Sequence, residues 1–263
     1  MFESFMINTW IGGTIIAIVG GAVGFLVVAR RSAFLAHSLP NSAFSGAAGA
    51  SLVGLSPMAG MAIFSVFGAG LVTWLQRRAA SRDVATAFTF VILLALGMLF
   101  TSMSTEYAGH FTSLLFGQVL GVSRDDLITM AVLAVVGLAA AAALYRPILI
   151  DAISSELAKS RRVHGVRLDL AFALLIGVVT TIAVPIVGAL LIFNLLVAPG
   201  ATARYLTDRP WVSVIISVVL ALAMTWSSIA LGYATGWPIG FFVGVLGAVF
   251  YGLGRWYGRR LGR

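Results

Sequence analysis

Long apolar runs separated by short charged connections dominate this sequence and leave it few ways to fold. Five such runs lie between residues 10 and 144: Trp10–Val28, Phe34–Val53, Met58–Leu75, Val84–Phe100 and Leu127–Leu144. A helix of about 20 apolar residues crosses the roughly 30 Å hydrocarbon core of a bilayer. Because 60% of the residues are hydrophobic and only 10% are charged, we predict an all-α polytopic membrane protein.

The second half of the chain adds four predicted spans. Between Asp169 and Arg204 lie 34 residues without a formal charge, which as one helix would measure roughly 50 Å, too long for a single crossing. We divide this stretch at Pro185, because proline interrupts the helical hydrogen-bond ladder. Trp211–Leu231 and the shorter Ile239–Tyr251 complete the set. The prediction is about nine spans, with roughly eight to ten allowed by the uncertainty of helix ends.

The basic residues predict the direction in which the chain crosses the membrane. With the N-terminus outside and nine spans, every Lys and Arg except Arg124 faces the cytoplasm, which is 16 of the 17. Cytoplasmic loops carry such an excess of Lys and Arg. We therefore expect the C-terminus in the cytoplasm. This topology accounts for the net charge of +8, so binding to nucleic acid is not needed to explain it. Because no Lys or Arg precedes Arg30, we interpret the first run as a retained span.

The second run contains polar residues that a lipid-facing helix would lack. His37 and Asn41 are four residues apart and share one helix face, and Pro40 between them frees a backbone carbonyl one turn earlier. Asn41 lies ten residues beyond Arg31, about 15 Å from the predicted cytoplasmic boundary. Polar groups at such a depth usually face a cavity or a partner. We interpret His37 and Asn41 as lining a path, with ordinary helix packing as the alternative.

Small residues predict where helices pack closely. In the second run, a small residue recurs at every fourth position: Ser42, Gly46, Ala50 and Gly54. Small residues let two helix backbones approach each other in a membrane. From this stripe, and from a path that is short of ligands, we predict a homodimer. Asn194, in the middle of the seventh span, is predicted to form an interhelical hydrogen bond rather than to bind a ligand.

The two longer connections suggest different roles. The outer one contains Glu106 and His110, four residues apart, and the neighbouring acids Asp125 and Asp126, which together could capture a cation. In the inner one, Asp151–Lys159 is predicted to form an amphipathic helix at the membrane surface, because Ile150, Ile153 and Leu157 share one face. Such a helix could dock on a cytoplasmic partner.

Three stretches resemble the permease subunits of bacterial ABC importers for zinc and manganese. They are RRSAFL at Arg30–Leu35, LFGQVLGVS at Leu115–Ser123 and, most specifically, VGALLIFNLLVAPGATARYL at Val187–Leu206. The resemblance implies one permease domain over residues 1–263, similar to type II ABC importers and located in the bacterial cytoplasmic membrane. It also implies a homodimer that works with two cytoplasmic ATPase subunits and an extracytoplasmic metal-binding protein. No permanently bound cofactor is implied, because zinc or manganese is the cargo and ATP binds the partner subunit.

In that family the second helix carries an Asp and, four residues later, a His that are taken to face the metal path. These positions correspond to His37 and Asn41 here, so the pair has an imidazole and an amide but no negative charge. Zinc takes about four ligands in tetrahedral sites, and the chain has three His, of which His110 and His164 are predicted on opposite sides of the membrane. A second copy would supply a second His37 at the dimer axis.

The inner connection resembles the family's ATPase-coupling helix. There, an acidic residue and an Ala are followed after a fixed interval by Leu-Asp, and Glu156, Ala158 and Asp169 keep this spacing, although Arg162 replaces the usual Gly. The resemblance assigns a coupling segment to about residues 145–167. The alternative is a surface helix whose basic flanks contact anionic lipid.

The sequence argues against an enzyme within this chain. Its only lysine, Lys159, lies in SELAKS and not in a phosphate-binding loop, so ATP hydrolysis is expected on a separate subunit. An ion-gradient-driven carrier, the main alternative function, should place carboxylates within its spans, and none is clearly buried. A permease for a chelated metal is a second alternative. A membrane enzyme would need clustered His and acidic residues on one side, which the sequence lacks.

Overall fold

The computed structural model of this protein describes residues 4–78, 81–104, 115, 123–160, 165–189 and 191–260. These residues form ten helices and no strands, which confirms the all-α prediction. The helices are α1 Ser4–Ala29, α2 Ala33–Leu52, α3 Pro57–Gln76, α4 Arg82–Met103, α5 Arg124–Ile153, α6 Ser155–Ser160, α7 Val166–Val187, α8 Ile192–Leu206, α9 Pro210–Thr235 and α10 Ile239–Arg260.

Local sequence explains where several of these helices begin and end. Ser56, Ser81 and Ser123 precede α3, α4 and α5, and each accepts a hydrogen bond from a backbone N–H in the first turn. Such serine caps satisfy donors that have no partner within the helix. At the other end of the chain, α9 stops at Gly236, whose φ of 73° is in the left-handed region that favours glycine.

Seven helices of the described part are long and apolar enough to cross a bilayer, as expected for a multi-pass membrane protein. Two predicted spans, α2 and α8, are not among them. α8 has 15 residues, a length of about 22 Å. α2 has 20 residues, but 14 of them are buried against neighbouring helices, so lipid does not surround its polar side chains. The total of nine spans and the sidedness of both termini stay predictions.

Two hydrophobic clusters form the interior, and α2 belongs to both. The main cluster is built around α1 and α7 and includes Leu35 and Leu39 of α2. The smaller cluster contains Ala43, Phe44 and Ala47, farther along the same helix. The polar residues of α2 therefore lie near the boundary between the two apolar clusters.

The small residues of α2 pack against α3 of the same chain. A Cβ atom on Gly46 would lie 2.1 Å from the carbonyl oxygen of Gly60, and a Cβ on Gly68 would lie 2.8 Å from the Cβ of Ser42. Gly54 is beyond the helix and has open space around it. Close packing is thus confirmed, and the helix that occupies the stripe belongs to the same chain. The homodimer stays a prediction.

The charge-free stretch breaks at Gly188 rather than at Pro185, which corrects the predicted boundary. α7 continues through Pro185 to Val187. Proline removes one backbone donor but its φ fits a helix, and the surrounding helices bury this turn. Gly188 has a φ of 89°, a conformation that ends the helix at little cost only for glycine.

The predicted amphipathic helix over Asp151–Lys159 is also corrected. α5 extends to Ile153, beyond its predicted end at Leu144, and Ser154 is extended, with φ −151° and ψ 115°. The six-residue α6 follows. The additional turns of α5 are anchored by the buried Ile148 and by an ion pair between Asp151 and Arg30, which a local sequence pattern does not reveal.

Candidate functional site

His37 lies in the second turn of α2 and is held by two aromatic rings. Its imidazole stacks on Phe90 of α4, with ring centroids 5.6 Å apart and an interplanar angle of 25°. Phe193 of α8 meets it edge-on at 5.2 Å and 83°. Three helices therefore fix the ring, which is half-buried. Among the described residues, the contacts of the ring are these two aromatic ones.

Asn41, one turn farther along α2, is buried and keeps an oxygen acceptor open. Its side chain is 1% exposed, and its amide nitrogen donates to the backbone carbonyl of His37 at 3.2 Å. The side-chain oxygen, Oδ1, is buried and has no hydrogen-bond partner within the described part of the chain. A buried acceptor without a partner costs about 1–3 kcal/mol.

Several buried hydroxyl groups lie on α2, α4 and α7. Most of them donate to a carbonyl of their own helix: Ser38 to Leu35 at 3.1 Å, Ser42 to Leu39 at 2.5 Å, Thr89 to Ala85 at 2.9 Å and Thr181 to Gly177 at 3.0 Å. The oxygen of Thr181 also lies 3.3 Å from Ser65 Oγ of α3. The hydrogen atoms of these hydroxyls are therefore used by the helix backbone.

The proposed outer capture residues divide into two kinds. Glu106 and His110 lie outside the described residues. Asp126 belongs to a capping box, in which its carboxylate accepts from the Ser123 backbone N–H at 3.2 Å and its own N–H donates to Ser123 Oγ at 3.0 Å. Asp125 beside it is exposed. Asp126 thus has a structural task, and capture of an ion by either acid stays a prediction.

The three predicted coupling residues have different environments. Glu156 is exposed on α6, whereas Ala158 is completely buried. Asp169 lies in the first turn of α7 and forms ion pairs with Arg30 and with Arg82, the latter at 3.5 Å. The coupling role of these residues stays a prediction. The ion pairs of Asp169 connect the start of α7 to the end of α1 and the start of α4.

Arg30 is the residue whose contacts sequence reasoning missed, because it was used there only as a marker of topology and as part of the RRSAFL stretch. Its side chain is 6% exposed, and besides Asp169 it contacts Asp151 at 3.5 Å. Its guanidinium also lies 5.0 Å from the centre of the Phe172 ring. One clue was present in the sequence: Arg30, Asp151 and Asp169 were all predicted at the same membrane boundary, where opposite charges pair.

Comparison with known proteins identifies the family. The ABC 3 transport family model matches residues 2–255. The chain belongs to this family.

Relatives of this ABC 3 chain are membrane subunits of metal uptake systems. It is 28% identical over 233 residues to the high-affinity zinc uptake system membrane protein ZnuB of Buchnera aphidicola, covering 88% of each chain. It is 27% identical over 251 residues to the manganese import system permease protein ScaB of Streptococcus parasanguinis, covering 94% of this chain and 88% of ScaB. The predicted resemblance to zinc and manganese ABC permeases is therefore confirmed.

A solved structure shows that the fold is shared. PsaBC from Streptococcus pneumoniae, determined in complex with Fab, superimposes with a TM-score of 0.85 at 22% identity, covering 96% of this chain and 91% of the PsaBC chain.

His37 and Asn41 of this ABC 3 chain offer one imidazole and one amide oxygen, and their role in a metal path stays a prediction. Among the described residues, no group of three or more His, Cys, Asp or Glu side chains is placed to hold a metal ion. Imidazole favours zinc and other transition metals, while oxygen ligands favour harder ions such as manganese. A donor set of this kind, which has no carboxylate, would bind a cation more weakly than a tight metal site does.

Proposed function

We propose that this chain is the permease subunit of an ATP-driven importer for zinc or manganese. The observation that carries the proposal is the unpartnered Oδ1 of Asn41, one helical turn from the ring of His37, in a chain of the ABC 3 family. Membrane helices rarely bury a polar atom without a use for it. The ion would pass these two side chains on its way to the cytoplasm.

The proposed cargo rests on the donor atoms of His37 and Asn41 and on the metals for which related proteins are named. ZnuB is named for zinc uptake and ScaB for manganese import, and imidazole with neutral oxygen atoms can serve either ion. The site does not favour one of the two metals.

A homodimer and additional subunits complete the proposal. One chain offers a single imidazole and a single amide at the path, whereas zinc takes about four ligands, so a second copy would double the set. The phosphate-loop motif is absent from the sequence, so ATP would be hydrolysed by a separate subunit. In the proposed complex, two cytoplasmic ATPase subunits dock on residues 145–167. A metal-binding protein would deliver the ion from outside. The inner, or cytoplasmic, membrane of a bacterium is the corresponding location.

An ion-gradient-driven carrier fits the described residues less well. Carriers of this kind use ionisable groups within their spans. Here, the buried polar residues of the described helices are Ser, Thr and one Asn. The charged side chains with little exposure, Arg30, Asp151 and Asp169, lie at helix ends and pair with one another.

Reconstitution into liposomes tests the proposal directly. The chain, its ATPase subunits and its binding protein are assembled in vesicles that contain a fluorescent metal indicator. We expect uptake of zinc or manganese only when ATP is supplied on the side of the ATPase subunits. His37→Ala should reduce this uptake at least about tenfold, because the imidazole is the one nitrogen ligand at the site.

Ser51→Ala is the matched control, because Ser51 lies on the same helix, donates only to the Ala48 carbonyl and is outside the site. This variant should transport at the normal rate. Uptake that continues without ATP, or that is unchanged by His37→Ala, would contradict the proposal.

A further inference from the structure

Arg30 joins four helix ends at one point. It follows the last residue of α1, and its guanidinium contacts Asp151 near the end of α5 and Asp169 at the start of α7. Arg82 at the start of α4 also contacts Asp169. Two positive and two negative charges therefore balance, with the side chains of Arg30, Asp151 and Asp169 6%, 9% and 15% exposed.

The two carboxylates lie on either side of α6, the short helix within the segment proposed to bind the ATPase. Asp151 precedes α6 by one turn, and Asp169 lies in the first turn of α7, the next helix. By contacting both, Arg30 connects the chain that precedes α6 to the chain that follows it. A guanidinium can do this because its planar array of donors serves two carboxylates at once.

The same residue is linked through the backbone to the helix that carries the path. Between Arg30 and the start of α2 there are only Arg31, with a φ of 55°, and Ser32. Ser32 donates its backbone N–H to the Val27 carbonyl at 3.0 Å, so the turn from α1 into α2 is tight. A displacement of Arg30 would consequently move the first turns of α2, where His37 lies.

The surroundings of the cluster leave room for such a displacement. Arg30 and Asp169 line a cavity of about 100 Å³, together with Arg82, Gln76 and Thr86. In addition, Nε of Arg30 is buried and has no hydrogen-bond partner in the described part of the chain. Helix ends that meet at a polar cavity can shift without breaking close apolar packing, unlike the Gly46 and Gly60 contact between α2 and α3.

We propose that Arg30 is a positioning residue that transmits movement of the ATPase-docking segment to α2. When the ATPase subunits move residues 145–167, Asp151 and Asp169 carry Arg30 with them, and Arg30 shifts the turn that precedes His37. The environment of His37 and Asn41 then changes in step with ATP hydrolysis. This inference rests on the proposed function, because it assumes a docked ATPase.

The test compares Arg30→Gln with Arg209→Gln in the complete complex in liposomes, with metal uptake and phosphate release measured together. Arg209 is the matched control because it is basic and exposed just before α9, outside the Arg30 cluster, its cavity and residues 145–167. We expect Arg30→Gln to lower the number of ions moved per ATP by about tenfold, within the usual range of coupling effects. Hydrolysis should continue, and Arg209→Gln should behave as the unaltered chain does.

A conservative variant separates positioning from general damage. Arg30→Lys keeps the positive charge, but a lysine ammonium lacks the planar set of donors of a guanidinium. This variant should therefore move more ions per ATP than Arg30→Gln but fewer than the unaltered chain. Should Arg30→Gln not assemble, Asp151→Asn replaces it, since this change removes one contact of Arg30 and leaves the pair with Asp169 intact.

Because the chain has no cysteine, a covalent link can replace the ion pair. In Arg30→Cys with Asp169→Cys, a reversible bis-thiosulfonate reagent should restore ions moved per ATP, and a reductant should abolish the gain. An unchanged ratio in Arg30→Gln, or a cross-link that forms without restoring it, would overturn the inference. If the unaltered chain itself moves no metal with ATP, the proposed function fails instead.

Discussion

Two asparagines, Asn41 in the middle of α2 and Asn194 in the first turn of α8, use the same side chain in opposite ways. Asn194 donates its amide hydrogens to another helix, reaching the carbonyls of Val243 at 2.6 Å and Gly244 at 3.0 Å in α10. Asn41 donates within its own helix, to the His37 carbonyl, and its Oδ1 has no partner among the described residues. One amide therefore joins two helices, and the other presents an acceptor.

The difference shows how a structural amide can be distinguished from a ligand-binding one. A polar group that serves the fold has its hydrogen bonds satisfied by other elements, because an unsatisfied group is costly. A group that serves a ligand is left incomplete until the ligand arrives. Asn194 is also packed tightly, since a Cβ on Gly247 would lie 2.1 Å from its amide nitrogen. The predicted interhelical role of Asn194 is confirmed by these contacts.

The largest expected effect comes from Asn41→Leu. Leucine is similar in size and removes the unpaired acceptor, so the folded chain should be as stable as before or more stable. Metal uptake in liposomes should nevertheless fall about tenfold or more, as expected when a ligand to a borderline ion is lost. Thermal unfolding in detergent and uptake are measured on the same preparation. A loss of stability in proportion to the loss of uptake would mean that Asn41 serves the fold.

Asn194→Ala sharpens the comparison with the opposite pattern. The change removes two interhelical hydrogen bonds, each worth about 0.6 kcal/mol on average in membrane proteins, and leaves a cavity. We expect a loss of stability of about 1–2 kcal/mol and unchanged uptake per folded complex. Chemical denaturation in mild detergent measures the first quantity. Uptake that falls while stability is unchanged would give Asn194 a place in the path.

Local signals in the sequence were sufficient for much of this fold. Serine caps and charged connections bound the helices, so α3, α4, α9 and α10 begin near the predicted positions. Spacing alone also placed His37 and Asn41 on one turn of α2. These features depend on residues that are close together in the chain, which is why a single sequence reveals them.

Features that depend on distant residues were not predictable in this way. Arg30 stood at the end of an apolar run like any boundary arginine, and only the fold shows that Asp151 and Asp169 meet it there. The rings of Phe90 and Phe193 around His37 come from two other helices. The small residues of α2 predicted a close partner correctly, but spacing could not tell α3 of the same chain from a second copy.

The smallest expected effects concern two adjacent acids, Asp125 and Asp126, which differ in their hydrogen-bond partners as the two asparagines do. Asp126 accepts hydrogen bonds from the backbone and side chain of Ser123, so Asp126→Ala should lower stability by about 0.5–1 kcal/mol and leave the metal concentration for half-maximal uptake unchanged. Asp125 is exposed at the start of α5. If this end of the protein attracts cations, Asp125→Asn should raise that concentration about twofold at low ionic strength, and added salt should remove the difference. Uptake is measured for both variants at two salt concentrations. If Asp126→Ala changed the metal concentration for half-maximal uptake, or if the effect of Asp125→Asn did not depend on salt, the hydrogen bonds of an acid would not tell us whether it is structural or captures cations.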